Sequence, residues 1–244
     1  VVLFGDCFTM FNEPGIGRSA VRVLEAFGYD VHLADVGCCG RTQLSTGLLE
    51  DARQTIERTA ERLKPFADAP GVRGLLFLEP SCESAMIDDW KQLKTNVASM
   101  TIERIASMSF LVEDFLAARW DEHPKRPSLA EVDGEIVFHG HCHQRAMHGS
   151  DSGSPLLEKL APGRVRVLDS GCCGMAGAFG FDRSRYDLSM KIGERVLLPA
   201  ARASEADGST LVAAGTSCRH QVLDGAGVHA QHPVELIERL LREA

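Results

Sequence analysis

The chain has 244 residues, 44% of them hydrophobic and 25% charged, which is enough apolar material for a sizeable core without disulfide staples. A formal charge of -8 excludes the clustered basic surface that nucleic acid demands, so no nucleic-acid partner is expected. No apolar run approaches the roughly 18 residues that cross a bilayer, so no transmembrane segment is expected.

The opening Val1-Val2-Leu3-Phe4-Gly5 has the character of a strand interior, and the chain is expected to be a piece of a longer polypeptide. Short apolar or β-branched runs bounded by turn residues predict strands over 1–4, 31–34 and 74–78. Apolar residues at helical spacing predict helices over 19–27, 48–63 and 110–120. Residues 121–133 carry Pro124, Pro127 and several charges, and are expected to be a surface linker. Beyond it strands are predicted over 135–138, 164–168 and 210–213, and helices over about 155–160, 183–202 and 233–242. This alternation implies two α/β modules, 1–125 and 126–244, each a small parallel sheet flanked by helices. The modules are expected to be pseudo-symmetric.

The division is reinforced by an internal repeat. Val2-Leu3-Phe4-Gly5-Asp6-Cys7 corresponds to Val137-Phe138-His139-Gly140-His141-Cys142, Gly37-Cys38-Cys39-Gly40 to Gly171-Cys172-Cys173-Gly174, and Pro80-Ser81-Cys82 to Thr216-Ser217-Cys218. All eight cysteines belong to it, at a spacing of about 135 residues. Each follows the C-terminal end of a predicted strand, the edge where open parallel sheets collect ligands.

Adjacent cysteines rarely bridge one another, and no secretory context favours oxidation, so metal binding is expected over disulfides. Cys7, Cys38, Cys39 and Cys82 are the predicted ligands in the first module, and Cys142, Cys172, Cys173 and Cys218 in the second. Four thiolates suit a tetrahedral zinc or an iron–sulfur cluster. Consecutive cysteines normally point apart, and Gly37, Gly40, Gly171 and Gly174 permit the positive φ that turns both toward one place.

Gly-Cys-Cys-Gly, with a cysteine upstream and another downstream, resembles the cysteine-rich CCG domain. That domain occurs in tandem in the heterodisulfide reductase B subunit, the glycolate oxidase iron–sulfur subunit and the anaerobic glycerol-3-phosphate dehydrogenase C subunit. The segments Leu78-Glu79-Pro80-Ser81-Cys82, Phe138-His139-Gly140-His141-Cys142-His143-Gln144 and Ser170-Gly171-Cys172-Cys173-Gly174-Met175-Ala176-Gly177 look most like the C-terminal iron–sulfur region of FAD-linked D-2-hydroxyacid dehydrogenases, of the D-lactate or D-2-hydroxyglutarate type. The resemblance implies one or two [4Fe–4S] clusters, with zinc an option in one module. It also implies an FAD-binding partner domain or subunit and a quinone or electron-carrier acceptor. The expected role is the electron-transfer component of an oxidoreductase, in the cytoplasm or peripheral at the inner face of the cytoplasmic membrane. One departure stands out: the heterodisulfide reductase motif supplies five cysteines per module, and here there are four. Disulfide-cleaving cluster chemistry and a structural zinc scaffold remain the alternatives.

Around the cysteines, His141, His143 and Glu79 are candidates for cofactor-binding side chains. His139, His141 and His143 alternate, and are expected to share a face and to tune the second site by hydrogen bonds. Met175, Phe179 and Phe181 are candidates for shielding it from water. Gly15-Ile16-Gly17-Arg18-Ser19-Ala20 imitates a dinucleotide fingerprint, but stands too far from its strand to be one. Trp90 and Trp120 are expected to be helix anchors.

Overall fold

A computed structural model describes residues 1–242, and the chain divides into two compact units, Val1–Arg126 and Pro127–Ala244. The first holds a parallel sheet of four strands in the order β2-β1-β3-β4, formed by β1 (Val2–Phe4), β2 (His32–Ala34), β3 (Leu75–Phe77) and β4 (Ser109–Leu111). β1 and β3 are buried along their whole length, which is why they are unbroken apolar runs: helices cover both faces of a parallel sheet. The long helix Leu49–Asp68 buries Ala52, Ile56, Thr59, Ala60, Leu63 and Ala67 at helical spacing. Glu50 and Asp51 lie in its first turn, where the helix dipole favours negative charge.

The second unit holds a three-stranded parallel sheet, order β6-β5-β7, from β5 (Ile136–His139), β6 (Val165–Val167) and β7 (Thr210–Ala213). Where the first sheet has β4, this one has a single parallel bridge between Val212 and Gln231, held by Ala213 N–H to the Gln231 carbonyl at 2.9 Å.

Several sequence expectations are corrected. The predicted helix over 110–120 splits into β4 and a helix Val112–Ala118. The helix expected to end at 63 runs on through Pro65 to Asp68. The helix predicted over 183–202 is two, Tyr186–Gly193 and Leu197–Asp207. The linker is not wholly a surface segment: Val132 is buried, and Leu129 pairs antiparallel with Leu241 inside the second unit. Gly15 and Gly17 sit in the first turn of helix Pro14–Ala26. A Cβ at Gly17 would come within 2.8 Å of the Thr9 methyl, so close packing against the Cys7 helix explains that glycine.

Candidate metal centre

In both sheets the strand order places a cysteine past the end of the inner strand and others past the strands beside it. Cys7 follows β1, Cys38 and Cys39 follow β2, and Cys82 follows β3; Cys142, Cys172-Cys173 and Cys218 follow β5, β6 and β7 in the same way. In both sheets the next strand in the chain pairs on one side of the inner strand and the one after it on the other, the order reversal at which α/β sheets bind ligands.

Cys7, Cys82, Cys142 and Cys218 each sit in the first turn of a helix. Cys7 opens helix Cys7–Phe11, capped by Asp6, whose carboxylate accepts the Thr9 N–H at 3.0 Å and the Thr9 hydroxyl. Cys142 opens helix Cys142–His148, capped by His141, whose Nδ1 accepts the His143 N–H at 3.2 Å. Cys82 lies in the first turn of helix Pro80–Ser84, capped by Glu79 through the Ser81 N–H at 3.1 Å. Cys218 lies in the first turn of helix Thr216–Ala226. The unpaired N–H groups and the dipole of a helix N-terminus favour a thiolate.

The sulfurs of each quartet meet. Cys39 and Cys82 stand 3.1 Å apart, and hydrogen bonds link Cys7 to Cys38 and Cys38 to Cys39. The second quartet repeats the chain from Cys142 through Cys172 and Cys173 to Cys218. The Cys-Cys turn is held open by its glycines. Gly40 (φ 83°) and Gly174 (φ 105°) each aim their N–H at the sulfur two residues back, at 3.4 Å to Cys38 and 3.3 Å to Cys172. In the first module Thr59 donates to the Cys38 carbonyl at 2.8 Å and the buried Trp90 indole to the Cys39 carbonyl at 2.9 Å. Arg41 donates to the Ser81 carbonyl and Ser84 hydroxyl and pairs with Asp89, tying the Cys-Cys turn to the Cys82 helix.

Crowding makes the thiols unequal. Cys38 is pulled down to about 2, first by the Cys39 hydrogen bond and then by Cys7, against burial. Cys172 is likewise pulled to about 2, first by Cys142 and then by Cys173. Cys7, Cys39, Cys142 and Cys173 are pushed up, first by their hydrogen bonds to those two sulfurs; burial comes next for Cys7 and Cys142, and for Cys39 and Cys173 it follows a second bond, to Cys82 and Cys218. Four such sulfurs ionise together only beside a cation, so the donor set fits a soft metal centre. The spacing is not that of a finished tetrahedral ion site. Four thiolates about 2.3 Å from zinc lie about 3.8 Å from each other, more than the Cys39–Cys82 separation. Among the described residues no group of three or more His, Cys, Asp or Glu is arranged around an ion position.

The two surroundings differ. Cys82 feels the Cys39 hydrogen bond downward, but burial and the Asp6 and Glu79 carboxylates leave it raised. Cys218 is held well below the usual thiol range, first by Cys173, with His139 and His141 adding to it against burial. His139 Nδ1 meets the Ser170 hydroxyl at 2.6 Å, leaving Nε2 buried without a conventional partner and turned to Cys218. The His141 and His143 rings lie edge to face at 5.2 Å. The strand alternation ends at Gly140 and a helix begins at Cys142, so the helix places His143, while His139 and His141 both act on Cys218. Met175 is buried near Cys173, whereas Phe181 is 68% exposed and shields nothing. Thr59, Arg41 and Arg219 carried no motif, and Asp6 and Trp90 stood in the sequence without a role at the site. Only their nearness to cysteines after folding marks them.

Residues 1–86 match the cysteine-rich domain CCG. That stretch contains the whole first quartet, and the repeat extends its pattern to the second CCG-like module. Across 99% of its length the chain is 28% identical to the C subunit of anaerobic glycerol-3-phosphate dehydrogenase of Escherichia coli (strain K12), covering 59% of that protein. It is 25% identical to D-2-hydroxyglutarate dehydrogenase of the same organism over 99% of the chain and 23% of that protein. With lactate utilization protein A of Shouchella clausii (strain KSM-K16) it shares 28% identity over 73% of each chain. The chain thus spans 59% of the glycerol-3-phosphate dehydrogenase component and less of the hydroxyglutarate enzyme. It is similar to components of dehydrogenases. No helix among the described residues is long and apolar enough to cross a membrane.

Proposed function

We propose that the chain is the electron-transfer region of a flavin-linked dehydrogenase, each cysteine quartet holding an iron–sulfur cluster. Electrons enter from an FAD-binding domain or subunit that oxidises a D-2-hydroxyacid or glycerol 3-phosphate, and leave to a quinone or protein acceptor. The observation that carries this reading is the meeting of four sulfurs from three separate loops in each module. Similarity to dehydrogenase components supports the redox context.

A bound cluster supplies reversible one-electron chemistry. The chain's own residues do the rest. Cysteine thiolates at helix N-termini hold the group, the Gly40 and Gly174 amides donate to sulfur, and Trp90 and Thr59 fix the turn that presents it. Glu79, His141 and His143 act here as surroundings of the group.

A second reading, a disulfide-reducing catalytic cluster, is favoured by the exposure of Cys7 and Cys38, which leaves one side of the first quartet open to a substrate. A structural zinc module shares the donor set. Anaerobic purification followed by visible and electron paramagnetic resonance spectroscopy separates these. The electron-carrier reading expects brown protein absorbing near ~400 nm, bleached by dithionite and by a reduced flavoprotein dehydrogenase. Colourless protein containing zinc contradicts it, and turnover of a thiol–disulfide substrate favours the second reading.

A further inference from the structure

The internal repeat allows the two quartets to be compared residue by residue, and the exchanges nearest the inner sulfurs share one sign; the exception, Arg41 replaced by Met175, is a cation that pairs with Asp89. Asp6, capping the first helix, is replaced by His141; both are buried. Glu83, next to Cys82 and 0% exposed, is replaced by Arg219, next to Cys218 and 7% exposed. Phe4, at the end of β1, is replaced by His139 at the end of β5. Glu79, capping the Cys82 helix, is replaced by Gly215.

The last exchange is coupled to the first. The His141 ring lies so close to Gly215 that a Cβ there would stand 2.1 Å from its Cδ2. A glutamate like that of the first module cannot share the space with this imidazole. Arg219 is equally fixed: its guanidinium donates to the Ala213 and Ala214 carbonyls and to the Thr216 hydroxyl, at 3.1, 2.5 and 3.1 Å. It holds a permanent positive charge at the end of β7, on the residue that follows Cys218.

Features common to both sites cancel in the comparison. Both quartets sit on helix N-termini and both Cys-Cys turns carry a glycine N–H donor. Cys7 and Cys38 are more exposed than Cys142 and Cys172, and water favours the reduced state there. That effect reaches only the outer pair, since Cys39 and Cys82 are as buried as Cys173 and Cys218. Around these inner sulfurs the first module places the Asp6 and Glu79 carboxylates and the second the His139 and His141 imidazoles, with the Arg219 side chain one residue on from Cys218. Adding an electron adds negative charge, which nearby cations and N–H donors stabilise and carboxylates oppose, most strongly where water is excluded.

We infer that the two sites are built with opposite electrostatic surroundings, so that the second module has the higher reduction potential and a single electron delivered to the chain comes to rest there. This rests on the iron–sulfur reading above. Arg219 and His139 act as positioning residues that tune the potential without taking part in bond making.

The test uses the cluster-loaded full chain, assayed first for iron and acid-labile sulfide, then titrated stepwise with dithionite, a one-electron reductant in solution, and followed by electron paramagnetic resonance. Cys82→Ser and Cys218→Ser assign each step to its module. The expected result is two steps, the upper one lost in Cys218→Ser. Arg219→Gln lowers the upper step, changing its occupancy at a fixed ambient potential by about tenfold, and Arg219→Lys restores it. Glu83→Gln raises the lower step, and His139→Phe, which installs the first module's residue, lowers the upper. Coincident or reversed steps in protein carrying both clusters overturn the inference and leave the electron-carrier reading standing. Absence of iron and sulfide overturns both.

Discussion

Trp90 and Cys39 are joined by one buried hydrogen bond, from the indole N–H to the Cys39 carbonyl at 2.9 Å. Trp90 arrives there at the end of a π-helical turn, Ala85–Asp89, that continues the Cys82 helix, so a single element holds one sulfur and steadies the turn presenting two others. Trp90→Phe keeps most of the apolar contact but leaves a buried carbonyl without its donor, a loss of about 1–3 kcal/mol. The expected outcome is a lower thermal midpoint and reduced metal content in the first quartet, with the second unchanged. Wild-type midpoint and full metal content in Trp90→Phe would show that the indole is only a packing group.

Gly174 makes a similar demand through the backbone. Its φ of 105° is one that side chains disfavour, and a Cβ would stand 2.3 Å from the Ser189 carbonyl oxygen. Gly174→Ala is expected to destabilise the second module by more than the roughly 1 kcal/mol of an unstrained exchange and to empty its quartet. Urea unfolding and metal analysis check this together.

His123 gives the first module a pH response away from the cysteines. Its Nε2 lies 3.0 Å from the Leu116 carbonyl and its Nδ1 2.8 Å from the Tyr29 hydroxyl. A carbonyl only accepts, so Nε2 carries the proton and Nδ1 receives the Tyr29 O–H in the neutral ring. Burial lowers the pKa from 6.5, outweighing the Leu116 bond, which raises it. The unfolded chain therefore binds the proton first as pH falls. The contribution is fully present above about pH 6.5 and is lost as pH drops toward and through the lower folded value. Urea midpoints compared between pH 7.5 and 5 should fall more steeply for the wild type than for His123→Phe. Equal slopes would remove His123 as a source.

Much of this was legible in the sequence. The strand over 210–213 appears as β7 with the same bounds, because a β-branched apolar run lies between Gly208-Ser209 and Gly215. The meeting of the cysteines followed from the repeat and from the ligand-binding edge of parallel sheets. β4 was hidden because Ser109-Phe110-Leu111 runs directly into helical spacing, and a short apolar run fits either period. Pro199, in the first turn of helix Leu197–Asp207, marked a new helix start inside the stretch expected to be continuous. The helices opening on Cys7 and Cys142 are too short for periodicity to show. The contrast between Glu83 and Arg219 was present in the repeat, but it gained meaning only when both proved buried beside cysteines.

The central claim is that each module gathers its own four sulfurs around one inorganic group. Anaerobic analysis of iron, acid-labile sulfide and zinc in the wild type, Cys82→Ser and Cys218→Ser tests it most directly. The account predicts iron and sulfide in the wild type and about half of each in either variant, the remaining signal differing between the two. Unchanged iron and sulfide in both variants, or their absence from wild-type protein kept free of oxygen, would contradict it.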